Sequence, residues 1–237
     1  MPRSKQRQRQ ERRKEEVRQR KKSLLMPIEP KTPNQKRYFR SIRANPYTFV
    51  IGPAGSGKSF IPLFIGLQKL YRKEIEKIIF IRPLVEVNNF YEKNLGALPG
   101  DIKSKLVGWN GGVLDNLSVL IPDQHERQRL LESNKIEFLP LSLCRGRTFH
   151  NSVIIVEEAQ NISVEGEGMK MILTRLGDNA KMIIAGDIEQ QDTGHRQSAL
   201  EDAMDRFWDT EHFGIIELEN DDIVRNGFIS IILDKYK

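Results

Sequence analysis

Short apolar runs separated by amphipathic stretches set the rhythm of the chain. Tyr47-Thr48-Phe49-Val50-Ile51 stops at Gly52-Pro53, and Lys77–Ile81, Val153–Val156 and Lys181–Ala185 are runs of the same kind. Each is too short for a helix and too continuously apolar for a strand with one wet face. Each therefore predicts a central strand of a parallel sheet, buried on both sides. Gly214–Leu218 predicts one more. Between them, apolar residues return at helical spacing. Phe60, Leu63, Phe64, Leu67 and Leu70 place a helix over Lys58–Leu70, with Pro62 near its first turn. Further helices are expected at Asn34–Ile42, Glu165–Leu176, Ser198–Trp208 and Phe228–Tyr236. Strands alternating with helices predict an α/β fold, a mainly parallel sheet with helices on both faces. The stretch near 86–134 is rich in Asn, Gly and Asp and holds Trp109. It is expected to be an insertion of partly irregular structure.

Composition narrows the class. At 237 residues, with 38% hydrophobic and 30% charged residues, the chain can bury a substantial core beneath a charged surface. No apolar run approaches the roughly 18 residues of a membrane span, which excludes an integral membrane protein. The basic N-terminus is not followed by an apolar signal core, so a cytoplasmic location is expected. Cys144 stands alone, which rules out a disulfide framework. His125, His150, His195 and His212 show no ligand spacing, which leaves no structural zinc site.

Charge is concentrated at one end. Residues 1–22 hold eleven Lys and Arg against Glu11, Glu15 and Glu16, a net +8, while the whole chain is +6. The remainder is thus slightly acidic, at −2. Val17 is the one aliphatic residue of this tail after Met1, so the tail cannot bury enough surface to order itself as a globule. Two readings stand open: an arm that neutralises nucleic-acid phosphates, or a solvated tail that aids solubility. Leu24-Leu25-Met26-Pro27 ends the tail, and Glu29-Pro30-Lys31-Thr32-Pro33 reads as an extended linker. This divides the chain into a basic tail, residues 1–26, and a single domain, residues 27–237.

The chemistry is carried first by Gly52-Pro53-Ala54-Gly55-Ser56-Gly57-Lys58-Ser59, which satisfies the P-loop pattern G-x-x-x-x-G-K-[ST] between a predicted strand and a predicted helix. Small residues let the backbone wrap a chain of phosphates so that successive N–H groups point inward. Lys58 would place a charge on the β and γ phosphates. Ser59 would offer its hydroxyl to Mg²⁺ at a helix N-terminus whose dipole favours anions. A second strand, Val153–Val156, delivers Glu157 and Glu158 at its C-terminal end, where open α/β sheets bind ligands. Glu157 is the candidate for Mg²⁺, through water, and Glu158 for orienting or deprotonating an attacking water. A third strand ends in Gly186-Asp187-Ile188-Glu189-Gln190, where an amide can meet a γ-phosphate or the attacking water. Arg145, Arg147, Arg175 and Arg225 are candidates for offsetting transition-state charge. Arg82, at the end of the second run, could serve phosphate or substrate. Cys144 is expected to be a small buried residue.

With these motifs in order, the chain resembles the PhoH family of P-loop ATPases. The matching pieces are Pro33-Asn34-Gln35-Lys36-Arg37-Tyr38, Gly52–Ser59, Arg82-Pro83, Leu95-Gly96-Ala97-Leu98-Pro99-Gly100-Asp101 and Arg145-Gly146-Arg147-Thr148-Phe149. They continue through Glu157–Asn161, Met169-Lys170-Met171, Leu173-Thr174-Arg175, Gly186-Asp187 with Gln190 and Asp192, and Asp222-Ile223-Val224-Arg225. That family is similar to the first motor domain of superfamily 1 helicases, which implies a RecA-like core. The resemblance also implies that Gln35 contacts adenine, that Gln190 senses the γ-phosphate and that Arg225 acts near the phosphates. Arg145 and Arg147 would lie near the site or a neighbouring subunit. The chain departs from the pattern at Glu157, where Asp is usual, at Gly168 in place of Gln and at Asn226 in place of His.

The expectation is an ATP-binding, Mg²⁺-dependent hydrolase coupled to nucleic acid, RNA or single-stranded DNA, with RNA favoured and helicase-related activity possible. The alternative is a nucleotide-binding regulatory or assembly protein with little turnover. Asn134-Lys135-Ile136-Glu137 is similar to a guanine-reading tetrapeptide. It ends in Glu rather than Asp and precedes the acidic strand, so ATP is expected over GTP. One P-loop in one chain implies a homo-oligomer, such as a hexameric ring, if strands are to be moved.

Overall fold

The computed structural model describes residues 24–83, 111–162, 167–190 and 198–224. Six parallel strands form one sheet: β1 (Tyr47–Ile51), β2 (Lys77–Arg82), β3 (Ile136–Pro140), β4 (Ser152–Val156), β5 (Lys181–Gly186) and β6 (Phe213–Glu217). Their order across the sheet is β3-β2-β4-β5-β1-β6. Because every pairing is parallel, all C-terminal ends share one edge. The strand carrying the P-loop and the strand carrying the two glutamates are separated by β5 alone.

Alternation along the central strands divides the core. Ile78, Phe80, Val153, Ile155 and Ile183 face one layer, and Ile79, Ile81, Ile154, Val156 and Ile184 face the other. The first layer is made by helices α1 (Pro33–Ala44), α2 (Phe60–Tyr71), α3 (Gly111–Leu120) and α4 (Gln124–Glu132). The second is made by α5 (Gly168–Leu173) and α6 (Ala199–Phe207). Both faces are covered, which explains why the middle strands are apolar without a polar stripe.

Local chemistry sets the ends of these elements. Thr32 caps α1 by accepting a hydrogen bond from Gln35 N at 3.1 Å, with Pro33 at the first helical position. Ser198 and Glu201 form a reciprocal capping box on α6.

Three elements differ from the sequence expectation. Ile136–Pro140 is an edge strand that periodicity did not single out. Its burial alternates, with Ile136, Phe138 and Pro140 inward and Glu137 among the half-buried positions between them, where it bridges Lys77 and Arg147 at 3.1 Å each. Within the polar stretch near 86–134, residues 111–132 contain the two helices α3 and α4, while residues 84–110 lie outside the described residues. Gly111 and Gly112 open α3 without a capping side chain, and α4 buries Leu130 alone. Neither helix therefore shows a strong amphipathic signal. The tail 1–22, Leu95–Asp101, Asp192, Arg225, Asn226 and the helix expected at Phe228–Tyr236 also lie outside the described residues.

Candidate nucleotide site

Gly52 follows β1 and begins the phosphate loop with φ of 147°, and Gly55 and Gly57 follow at 85° and 101°. These are conformations that side chains disfavour, and a Cβ on Gly52 would also run into the Leu218 carbonyl. The glycines thus have a steric reason to stand where the motif puts them. The loop is held from below. Tyr38, fully buried on α1, donates its hydroxyl to Lys58 O at 2.7 Å. Ser56, also buried, donates to Pro53 O at 2.8 Å.

Lys58 turns its ammonium back onto the loop, donating to Gly52 O and, at 2.9 Å, to Pro53 O. Burial pulls its pKa below the usual lysine value, and the carboxylates of Asp187 and Glu158 oppose that shift. Ser59 caps α2, but its side chain makes no capping hydrogen bond. Its hydroxyl is thereby available to a cation.

The acids arrive from the neighbouring strands. Glu157, 5% exposed, directly follows β4 and accepts a hydrogen bond from Arg82 at 3.0 Å. Arg82 stands at the end of the adjacent strand β2. Glu158 follows in a left-handed conformation with φ of 52°, an uncommon backbone for a residue with a side chain. That turn swings its carboxylate out of the sheet and leaves it exposed. Asp187, 7% exposed, directly follows β5, and burial raises its pKa against the opposing charge of Lys58.

Gln160 ties these strand ends together. It is 1% exposed and donates to Glu158 Oε2 at 2.8 Å and to Gln190 O at 3.4 Å, while its Oε1 accepts from Asp187 N at 3.1 Å. A Cβ on Gly186 would come within 2.8 Å of Gln160 Oε1, so the close approach depends on glycine there. Gln190 itself is exposed in a short 3₁₀ turn.

Gln35 is buried at the foot of the loop with every polar atom engaged. Its Nε2 donates to Ser56 O and Asp222 O, both at 3.1 Å, and its Oε1 accepts from Lys31 N at 2.9 Å. Asp222, 1% exposed, accepts from Thr32 Oγ1, from Asn34 at 3.0 Å and from Glu219 N at 2.7 Å. The segment after β6 is thus fastened to the start of α1, directly beneath the phosphate loop.

One cavity of about 850 Å³ joins these parts. Gln35, Ala54, Gly55, Gly57, Lys58 and Ser59 line it on the loop side, and Glu157, Glu158, Asp187 and Gln190 line it opposite. Gly52, Pro53 and Ser56 complete the loop without lining the cavity. Arg145, Arg147 and Arg175 are not among its lining residues. Arg147 pairs with Glu137 and lies over the Phe149 ring at 4.9 Å, and Arg175 donates to Met171 O and Arg147 O. Asn134-Lys135-Ile136-Glu137 leads into the N-terminal end of β3, at the opposite end of the strands from the phosphate loop. Sequence reasoning gave no role to Gln160, Asp187 or Tyr38. The closest signal was that all three fall within segments matching the family, Pro33–Tyr38, Glu157–Asn161 and Gly186-Asp187, with no role attached.

The donor set suits a nucleotide with a hard cation. Among the described residues, no three His, Cys, Asp or Glu side chains group closely enough to hold a metal by themselves. A magnesium ion held by one or two carboxylates, a hydroxyl and substrate phosphates needs no such cage.

A parallel sheet with its P-loop, an intervening strand and paired acids at one edge defines a RecA-like P-loop nucleotide-binding protein. More narrowly, the chain belongs to the PhoH family: the family model described as "PhoH-like protein" matches residues 27–237. It is 39% identical over 210 residues to a "PhoH-like protein" of Mycobacterium tuberculosis H37Rv, covering 88% of this chain and 58% of that one. It is 37% identical to a "PhoH-like protein" of Bacillus subtilis, covering 88% of this chain and 64% of that one. It is 35% identical to "Protein PhoH" of Escherichia coli K12, covering 89% and 58%. The chain therefore spans about three-fifths of the length of these curated relatives. Among solved structures, a Sulfolobus solfataricus SWI2/SNF2 ATPase core in complex with dsDNA aligns over 69% of this chain and 34% of that one. Its TM-score is 0.41 and its identity 16%. No helix among the described residues is long and apolar enough to cross a membrane.

Proposed function

We propose that this protein is a Mg²⁺-dependent ATPase whose turnover is coupled to nucleic acid, RNA in preference to single-stranded DNA. The observation that carries the reading is the shared cavity, in which Lys58 and Ser59 face Glu157, Glu158 and Asp187. A triphosphate on the loop N–H groups would give Lys58 phosphate oxygens in place of the carbonyls of Gly52 and Pro53. Ser59 and Glu157 would hold the cation, with Glu157 giving up or sharing its contact with Arg82. The bound Mg²⁺ would offset charge developing on the β and γ oxygens. Glu158 would orient a water and take its proton during in-line attack on the γ-phosphate, and Gln160 would fix the rotamer of Glu158. Gln190 would meet the γ-phosphate, and Arg225 would add positive charge.

The nucleic-acid part of the reading rests on the +8 tail. Movement along a strand would need neighbouring subunits, and a ring of this chain would supply them. The test is phosphate release with ATP alone, with RNA and with single-stranded DNA, each at two salt concentrations. RNA should stimulate release most, and deletion of residues 1–22 should weaken RNA binding and flatten its salt dependence. A rate indifferent to both polynucleotides would remove the coupling and leave an ATPase alone, and little turnover under every condition would favour a nucleotide-binding regulatory or assembly protein.

A further inference from the structure

The sheet itself makes Arg82 and Glu157 neighbours. Its register pairs Ile81 with Val156, and Glu157 N donates to Ile81 O at 2.8 Å, so the two chains stay paired one residue beyond β4. Arg82 Nη2 then donates to Glu157 Oε2 at 3.0 Å. Pro83 follows Arg82 and restricts its backbone to an extended conformation. The contact can therefore open by rotation of the long arginine side chain while β2 stays in place.

The direction of this contact matters. Across the sheet, β2 lies on one side of β4, and β5 and then β1 lie on the other. Arg82 thus holds the Glu157 carboxylate from the β2 side. Ser59, at the end of the loop that follows β1, stands on the opposite side. Glu157 and Ser59 both line the shared cavity, and Arg82 is not among its lining residues. A divalent ion held by Ser59 and Glu157 would draw the carboxylate toward β1, against the pull of the guanidinium. A buried carboxylate is costly without a positive partner, so a cation has to serve it with or without nucleotide. Two cations at one carboxylate also repel each other.

We propose that Arg82 is the resident counter-ion of Glu157 in the nucleotide-free protein and competes with Mg²⁺ for that carboxylate. Arg82 is then a positioning residue. It sets the Mg²⁺ concentration at which nucleotide is held, and it keeps Glu157 from taking a divalent ion before the triphosphate arrives. This inference rests on the ATP reading above and adds what occupies the acid before the metal does.

The test uses MgCl₂ alone and MgCl₂ with ATP, at an ionic strength held constant with NaCl. Mg²⁺ without nucleotide should leave wild-type melting nearly unchanged. Arg82→Gln should melt lower than wild type without Mg²⁺, because Glu157 loses its partner, and should recover as MgCl₂ is added. Arg82→Gln combined with Glu157→Gln, which has no carboxylate left at this position, should not respond. A purely structural arginine would lower melting equally with and without the metal. With ATP, calorimetric titrations at a series of Mg²⁺ concentrations give the midpoint at which the metal tightens binding. That midpoint should fall about tenfold in Arg82→Gln, the size of one charge-assisted hydrogen bond. Arg82→Lys keeps a cation beside the carboxylate; it should fold as wild type does and move the midpoint part of the way, and it decides the matter if the glutamine variant does not fold. A midpoint that stays or rises in the substituted proteins overturns the competition and makes Arg82 a support for the bound metal. Wild-type melting that rises with Mg²⁺ alone as far as the variant's overturns it too. Failure of wild type to bind ATP at any Mg²⁺ concentration would overturn the ATP reading, and the metal-alone melting would still decide the competition.

Discussion

Gln160 holds Glu158 through a 2.8 Å hydrogen bond while receiving the backbone N–H of Asp187 on its other amide atom. The acid at the end of β4 and the turn at the end of β5 are therefore set by one buried side chain. Glu158 stands on a left-handed residue, so its backbone alone leaves it exposed.

Gln160→Ala should free the Glu158 carboxylate to rotate and loosen the turn that carries Gln190. Misplacing a proton acceptor by about 1 Å costs on the order of a hundredfold in rate. The expected result is a fall of about 10- to 100-fold in kcat for ATP hydrolysis, with KM nearly unchanged because the phosphate loop is untouched. A rise in KM at constant kcat would show that Gln160 serves binding instead.

Asp187 carries a pH signature. Burial raises its pKa above the ordinary 3.8, so the fold disfavours its ionised form. Above the raised pKa this is a full penalty on stability. The penalty fades as pH falls through that value and is gone below the unfolded pKa. Asp187→Asn removes it. The variant should melt higher than wild type at neutral pH, with the gap narrowing as the solution is acidified toward pH 4. A gap that widens on acidification would mean that the Lys58 charge, not burial, governs this carboxyl.

Asp222 links the last described segment to the start of α1. Asp222→Ala would leave Thr32, Asn34 and Glu219 N without their acceptor. The expected cost is about 2–4 kcal/mol, from several lost hydrogen bonds around a buried charge. Hydrogen exchange should show the loss first in α1. Unchanged protection there, with unchanged melting, would mean that the capping Thr32 secures the helix without Asp222.

The parts of this architecture that could be read in the sequence are those whose causes are local. Tyr47–Ile51, Lys77–Arg82, Ser152–Val156 and Lys181–Gly186 declare themselves because strands buried on both faces carry near-continuous apolar runs without a polar stripe. The phosphate loop is legible because its chemistry occupies one contiguous segment. β3 is obscured because an edge strand admits Glu137. The helices α3 and α4 are obscured because glycines open one and charged residues fill the other. Gln160, Asp222 and Tyr38 act across the fold: Gln160 meets Asp187 from 27 positions away, and Asp222 meets Thr32 from 190. No local pattern encodes such contacts.

The most direct test of the central claim, that Lys58 and the Glu157–Glu158 pair serve one bound triphosphate, is steady-state phosphate release with ATP affinity measured in the same samples. Wild type should turn over in Mg²⁺ and stop when the cation is chelated. Lys58→Ala should lose ATP binding, and Glu158→Gln should keep it while its turnover falls by roughly 10²–10⁴. Hydrolysis by Lys58→Ala and Glu158→Gln at the wild-type rate would contradict the account.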